Sequence, residues 1–275
     1  MKLHLTDASS KLFVYDALIR EKHRFTLLSF AYKNLEPCYV SAWFDNSCEI
    51  ILDSGAFTAW SSGRSVDVEK YLEWAKLFRI SHSKKLSKIR YINLDVIPGS
   101  KGVTATPEQL ESAAKGSMQN ADFLRRNGID AIEVFHQSEP IELYYKIVER
   151  AEGRLIAISP RNDVSTKARC EWLKWLCAAT VKRYGLNIPP AHGLAVTAES
   201  LVYAFPFYSV DSSTWTQCLR FGKSQTSGLP KLPRWKLKEF QHATGYALIE
   251  EVKKYQKLEK NATNLWTKRG IIFND

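Results

Sequence analysis

A chain of 275 residues, 45% hydrophobic and 25% charged, has a globular composition and length for one large α/β domain or two small ones. Its net charge of +10 favours polyanionic partners, nucleic acid before membrane headgroups, although a solubilising surface would carry the same charge. No window approaches the roughly 18 apolar residues of a membrane span, MKLHLTDASSK lacks the apolar run of a signal peptide, and five scattered cysteines without a CxxC or CxC pair argue against a zinc ribbon or a disulfide framework. These features predict a soluble, cytoplasmic protein of a reducing compartment.

In chain order, short apolar runs predict strands at 2–7, 25–30, 49–54, 91–96, 131–137, 155–160, 191–196 and 207–212. Most are near-continuous Ile, Leu, Val and Phe, as expected of parallel strands covered on both faces. Helices are punctuated between them. Thr106-Pro107-Glu108 caps one that Gly128 stops, and Ser138-Glu139-Pro140 opens a second with an apolar face of Leu143, Tyr144, Ile147, Val148 and Ala151. Ser165 or Thr166 opens a third, carrying Cys170, Trp172, Trp175, Leu176 and Cys177 and closed by Gly185, and 198–204 makes a short crossover.

Eight strands alternating with helices predict a (β/α)8 TIM barrel over 1–215, followed by a basic C-terminal extension over 216–275 that packs on it. The runner-up is a doubly wound open sheet, but no GxGxxG follows any strand. The extension holds twelve Lys/Arg against five Asp/Glu. Within it, RFGKSQTSGLPKLPRWKLK supplies Arg220, Lys223, Lys231, Arg234, Lys236 and Lys238 with no acid. Phe221 and Trp235 interleave with that charge, which suits a groove that follows a phosphate backbone and stacks bases; a solvated loop is the plain alternative. Its glycines and prolines argue against a helix. Residues 247–260 predict an amphipathic helix with Lys253, Lys254, Lys257 and Lys260 exposed.

In a barrel the carboxyl ends of the strands share one face, so Asp53, Asp95, His136, Gln137, Ser159, His192 and Asp211 would look into one mouth. In EIILDSGAFTAW, Ser54, Gly55 and Ala56 let the backbone approach something closely, and Phe57 and Trp60 offer flat faces beside Asp53. Two or three carboxylates in such a mouth permit double displacement at an anomeric carbon, one as nucleophile and another handling protons. A sugar bonded to a nucleobase needs, in addition, an acceptor for ring N–H groups and a donor for a carbonyl, which an Asp and a Gln provide. Each residue also has a structural explanation: Asp53 capping its turn, Asp95 bonding loop amides, Gln137 holding a loop, Asp211 capping a helix, His136 and His192 packing rather than ligating a metal.

Five segments, LDSGAF, NLDVIPG, VFHQ, AHGLAV and SVDSSTW, resemble in order the motifs of the tRNA-guanine transglycosylases, and within that superfamily the smaller phage and bacterial DNA-guanine transglycosylases. The resemblance covers residues 49 to 215. It implies Asp53 as general acid/base, Phe57 as the base-stacking aromatic, Asp95 on the purine edge, Gln137 on the 6-oxo group, Leu194 closing the other face of the base and Asp211 as nucleophile. Where that family has a Gly-Gly-Leu-Ala-Val segment this chain has LIAISPRN. Pro160 has no N–H to give, so Ser159 or Arg161 would replace that contact. The family's zinc subdomain is also missing, which shifts the expected polymer from tRNA to DNA. The resemblance therefore implies an enzyme that exchanges guanine in DNA for a 7-deazaguanine, the 7-cyano form or a relative, with no cofactor and no metal. The alternatives are the same exchange on tRNA, or a non-catalytic barrel that binds nucleic acid through 220–238.

Overall fold

The computed structural model describes residues 1–6, 12–32, 48–82, 88–100, 102–216 and 237–272; the side chains of 12–15 and 237–246 lie outside that description. Nine parallel strands form one sheet: β1 (Lys2–Thr6), β2 (Phe25–Ser29), β3 (Glu49–Asp53), β4 (Ile89–Ile92), β5 (Ala131–Ile132), β6 (Val134–His136), β7 (Ile156–Ser159), β8 (Ala191–Gly193) and β9 (Ser209–Ser212). Their order is β5-β4-β3-β2-β1-β9-β8-β7-β6. The two ends of that order, β5 and β6, are separated in sequence by Glu133 alone. They are two halves of one predicted strand, the first paired to β4 and the second to β7, so the sheet nearly closes on itself as a TIM-like barrel. The break leaves the Glu133 side chain on Arg150 at 3.0 Å and Arg125 at 3.3 Å, outside the barrel.

The α-helices among the described residues are α1 (Leu12–Arg20), α2 (Ala56–Ser61), α3 (Val68–Ser81), α4 (Pro107–Arg126), α5 (Ile141–Ala151), α6 (Thr166–Tyr184), α7 (Glu199–Val202) and α8 (Leu237–Lys268). Thr106 and Gln109 form a reciprocal capping box on α4, satisfying two end donors at once. Asp67 and Ser165 cap α3 and α6 with their side chains. Pro140 stands at the N-cap of α5 without a side-chain bond, since its ring carries no acceptor, and the Glu139 carboxylate before it accepts the His136 amide at 2.7 Å.

Two apolar clusters follow from the strand pleat. Residues facing outwards, among them Leu3, Leu5, Ile50, Leu52, Phe135, Ile156 and Ile158, pack under the helices, while Leu27, Ile51, Ile92, Val134 and Ala157 fill the barrel interior. At the amino end of the barrel Glu49, predicted as part of an apolar strand, is buried against Lys2 at 3.0 Å, Arg90 at 3.2 Å and His4 at 3.5 Å. Trp175, on α6, is 49% exposed, whereas Leu176 beside it is fully buried.

The last helix belongs to the barrel wall. Leu248, Val252, Tyr255 and Ala262 are buried in the outer cluster, and Trp266 is buried as well. The Glu259 carboxylate accepts the Leu3 amide at 3.1 Å, and the Trp266 indole donates to the Val202 carbonyl at 3.2 Å. Helix α8 contains the predicted helix at 247–260 and is much longer than it. Of the residues expected to bind nucleic acid, Arg220, Lys223, Lys231, Arg234 and Lys236 lie outside the described residues, and only the backbone of Lys238 is described, in the first turn of α8. Among the described residues no helix is long and apolar enough to cross a membrane.

Candidate active site

Alternation along each strand decides which side chains reach the mouth. Lys2, His4 and Thr6 of β1, Phe25, Leu27 and Ser29 of β2, and Glu49, Ile51 and Asp53 of β3 share the inner face, so Thr6, Ser29 and Asp53 stand at its carboxyl end. Pairing puts Ser29 opposite Asp53, and His4 opposite Asp211.

Asp53 accepts hydrogen bonds on one oxygen, from the Ser29 hydroxyl at 2.8 Å and the Gly55 amide at 3.0 Å. Its other oxygen has no partner among the described residues. Burial raises its pKa, and the negative charges of Asp95 and Asp211 add to the rise, bringing it to about 6 against the two donors. The turn after Asp53 is built around Gly55, which has φ +76; a Cβ there would come within 2.9 Å of the Ala31 amide nitrogen. The close approach anticipated at this glycine is therefore to the chain's own backbone.

Asp95 is buried, with one oxygen 2.8 Å from His136 Nε2. The other side of the ring, Nδ1, lies 3.4 Å from the Glu139 carboxylate. Burial by itself lowers the His136 pKa, but Glu139 and Asp95 overcome it and carry the value up to about 10, so the ring is an imidazolium held between two carboxylates. The loop bearing Asp95 is fastened to α4: the Asn120 amide donates to the Leu94 carbonyl at 2.7 Å, and Ser117 takes up both the Val96 amide and the Asn93 side chain at 2.8 Å.

Asp211 is held on both oxygens. The Ala195 amide donates to one at 2.9 Å, with His192 Nε2 3.4 Å away, and the Thr6 hydroxyl donates to the other at 3.2 Å. Ala195 has φ +53, a left-handed backbone that costs an alanine of order 1 kcal/mol and persists where neighbours enforce it. The Trp215 indole donates to the Thr6 carbonyl at 2.8 Å, fixing the strand end that carries the Thr6 hydroxyl.

A mostly apolar cavity of about 130 Å³ is walled by Phe57, Trp60, Ile97 and Pro160, with Ser159 and His136 among its polar lining; none of Asp53, Asp95 and Asp211 lines it, and His136 connects it to Asp95. Phe57 is 46% exposed and its ring lies 5.8 Å from that of Trp60. The volume is well below that of drug-sized pockets and suits one flat heterocycle.

The predicted residues thus divide. Asp53, Asp95 and Asp211 converge, and Phe57 and Ser159 line the adjoining cavity. Gln137 does not: its carbonyl accepts the Arg161 amide at 2.9 Å, which also removes Arg161 N–H as the substitute donor considered for Pro160. In VFHQ it is His136 that faces the cavity. Leu194 packs over the interior cluster and is not part of the cavity wall. Thr6, Ser29, Ala195 and Glu139 were not anticipated; two-residue alternation in KLHLT and FTLLS was a signal for the first two, whereas none marked the others. Among the described residues no group of three or more His, Cys, Asp or Glu is placed to hold a metal ion. Comparison with protein-family models finds no match, and comparison with curated proteins finds none either.

Proposed function

We propose that this protein is a transglycosylase that exchanges guanine in DNA for a 7-deazaguanine base. The observation that carries the reading is the placement of Asp53, Asp95 and Asp211 at or just after the carboxyl ends of β3, β4 and β9, with His136 linking Asp95 to a heterocycle-sized cavity that has an aromatic wall. Asp211, oriented by Ala195, Thr6 and His192, attacks the anomeric carbon as the N-glycosidic bond breaks. Asp53, with a pKa near neutrality, protonates the departing guanine. The incoming base then returns its ring proton to Asp53 and attacks the glycosyl ester, releasing the Asp211 carboxylate with net retention. One N-glycosidic bond replaces another, so no external energy source is consumed. Asp95, whose second oxygen has no partner among the described residues, accepts N–H groups of the purine edge, and His136 holds it in place. The target nucleotide leaves its stack to enter the mouth.

The test is mass analysis of nucleosides after incubating DNA, and separately tRNA, with the protein and 7-cyano-7-deazaguanine. Deazaguanine in DNA is expected, together with a DNA–protein adduct that Asp211→Asn abolishes. Uptake into tRNA alone would change the polymer. No exchange into either, with nucleic-acid binding intact, would leave a non-catalytic binding barrel.

A further inference from the structure

A second cleft, of about 560 Å³, lies between the loop after β8 and α8, and its lining includes Ala195, whose amide supports Asp211. Three cations line it, Arg169, Lys254 and Lys257, together with the Thr197 and Thr214 hydroxyls. One acid, Glu199, is also in the lining and interacts with the Tyr203 hydroxyl. Lys254 has a loose neighbour in Glu251 at 3.7 Å and lies 5.6 Å from the centre of the Tyr255 ring, and Lys257 has no ion-pair partner among the described residues.

Arg169 decides the cleft's chemistry. Its guanidinium donates to the Ala195 carbonyl at 2.8 Å, its Nε is buried without an acceptor, and no carboxylate pairs with it among the described residues. A partly buried guanidinium without a counter-charge is costly and is relieved by an anion. In the arginine-lined cleft at the other end of the barrel, Arg90, Arg125 and Arg154 each pair with an acid of this chain, while Arg79 donates to the Gly128 carbonyl at 2.7 Å.

We propose that the Arg169–Lys254–Lys257 cleft binds backbone phosphates of the nucleic-acid strand flanking the nucleotide in the barrel mouth. This rests on the nucleic-acid reading above and extends it to where the strand runs. It also couples binding to chemistry. The peptide segment at Ala195 gives its N–H to Asp211 and its carbonyl to Arg169, so a phosphate on Arg169 stiffens the support of the carboxylate.

The test is fluorescence anisotropy of a labelled single-stranded DNA oligonucleotide over a range of salt concentrations. Losing two phosphate contacts in the Lys254→Gln/Lys257→Gln double variant should flatten the slope of log affinity against log salt by about 1.4, at roughly 0.7 per contact on a single strand. Lys174→Gln/Lys182→Gln, which removes the same charge from exposed positions of α6, should leave the slope near wild type. Arg169→Gln keeps a donor for the Ala195 carbonyl while discarding the charge, so it should weaken binding without lowering the melting temperature. An unchanged slope in the Lys254/Lys257 variant, an equal effect from Lys174/Lys182, or wild-type affinity in Arg169→Gln would overturn the proposal. The readout requires no base exchange. Cleft-dependent binding without exchange would sink the transglycosylase and spare the cleft; exchange with an unaltered slope would do the reverse.

Discussion

Replacing Asp53 by asparagine separates charge from shape at the site's most strained ionisation. An acid whose folded pKa of about 6 exceeds its usual 3.8 ionises first in the unfolded chain, so it costs the fold stability as pH rises from about 4 to 6 and throughout the range above. Asp53→Asn, still able to accept from Ser29 and Gly55, should therefore melt above wild type at pH 8 and level with it at pH 4, while base exchange falls by roughly 10²–10⁴-fold. His136 has the opposite sign. Its raised pKa contributes stability that is complete below about 6.5 and is lost as pH climbs through about 10. His136→Gln leaves Asp95 and Glu139 buried without their cation and should cost about 3–5 kcal/mol in denaturant unfolding at pH 7. At Gly55, an alanine meets both a left-handed φ and the Ala31 backbone, and should cost about 2–4 kcal/mol in the same assay.

Among the elements, α8 is where the expected and observed boundaries differ most. The amphipathic stretch at 247–260 was visible from its spacing, but its partners were not, since they lie at the far end of the chain on α1 and β1. Leu248 is fully buried in that contact, so Leu248→Ala should lower global stability by about 2–5 kcal/mol in a single cooperative transition. A separate early transition would instead make α8 an appendage of the barrel. The split of one predicted strand into β5 and β6 belongs to the same scale. Apolar periodicity marked the whole segment 131–137, but not that Glu133 would be drawn outwards by Arg125 and Arg150 on two different helices.

For the whole molecule, eight apolar runs separated by capped helices were enough for the barrel, because burial on both faces and right-handed parallel crossovers leave few other arrangements. The barrel then accounts for the site by geometry: three acids at strand ends distant in sequence meet because those ends share a rim. The basic balance of the chain has a described counterpart in the cleft that Ala195 lines, formed by side chains of α6 and α8 that no local motif unites.

The sequence by itself determined the parallel α/β architecture, the strand ends and the acids standing on them, since periodicity, caps and residue chemistry are local properties of the chain. Tertiary structure alone decided that His136 rather than Gln137 turns towards the cavity, that Asp211 is gripped by Ala195, Thr6 and His192, and that Arg169 has no counter-charge among the described residues. Each of these depends on which atoms of distant segments come within about 3 Å of one another, a distance set by packing and not by any spacing along the chain.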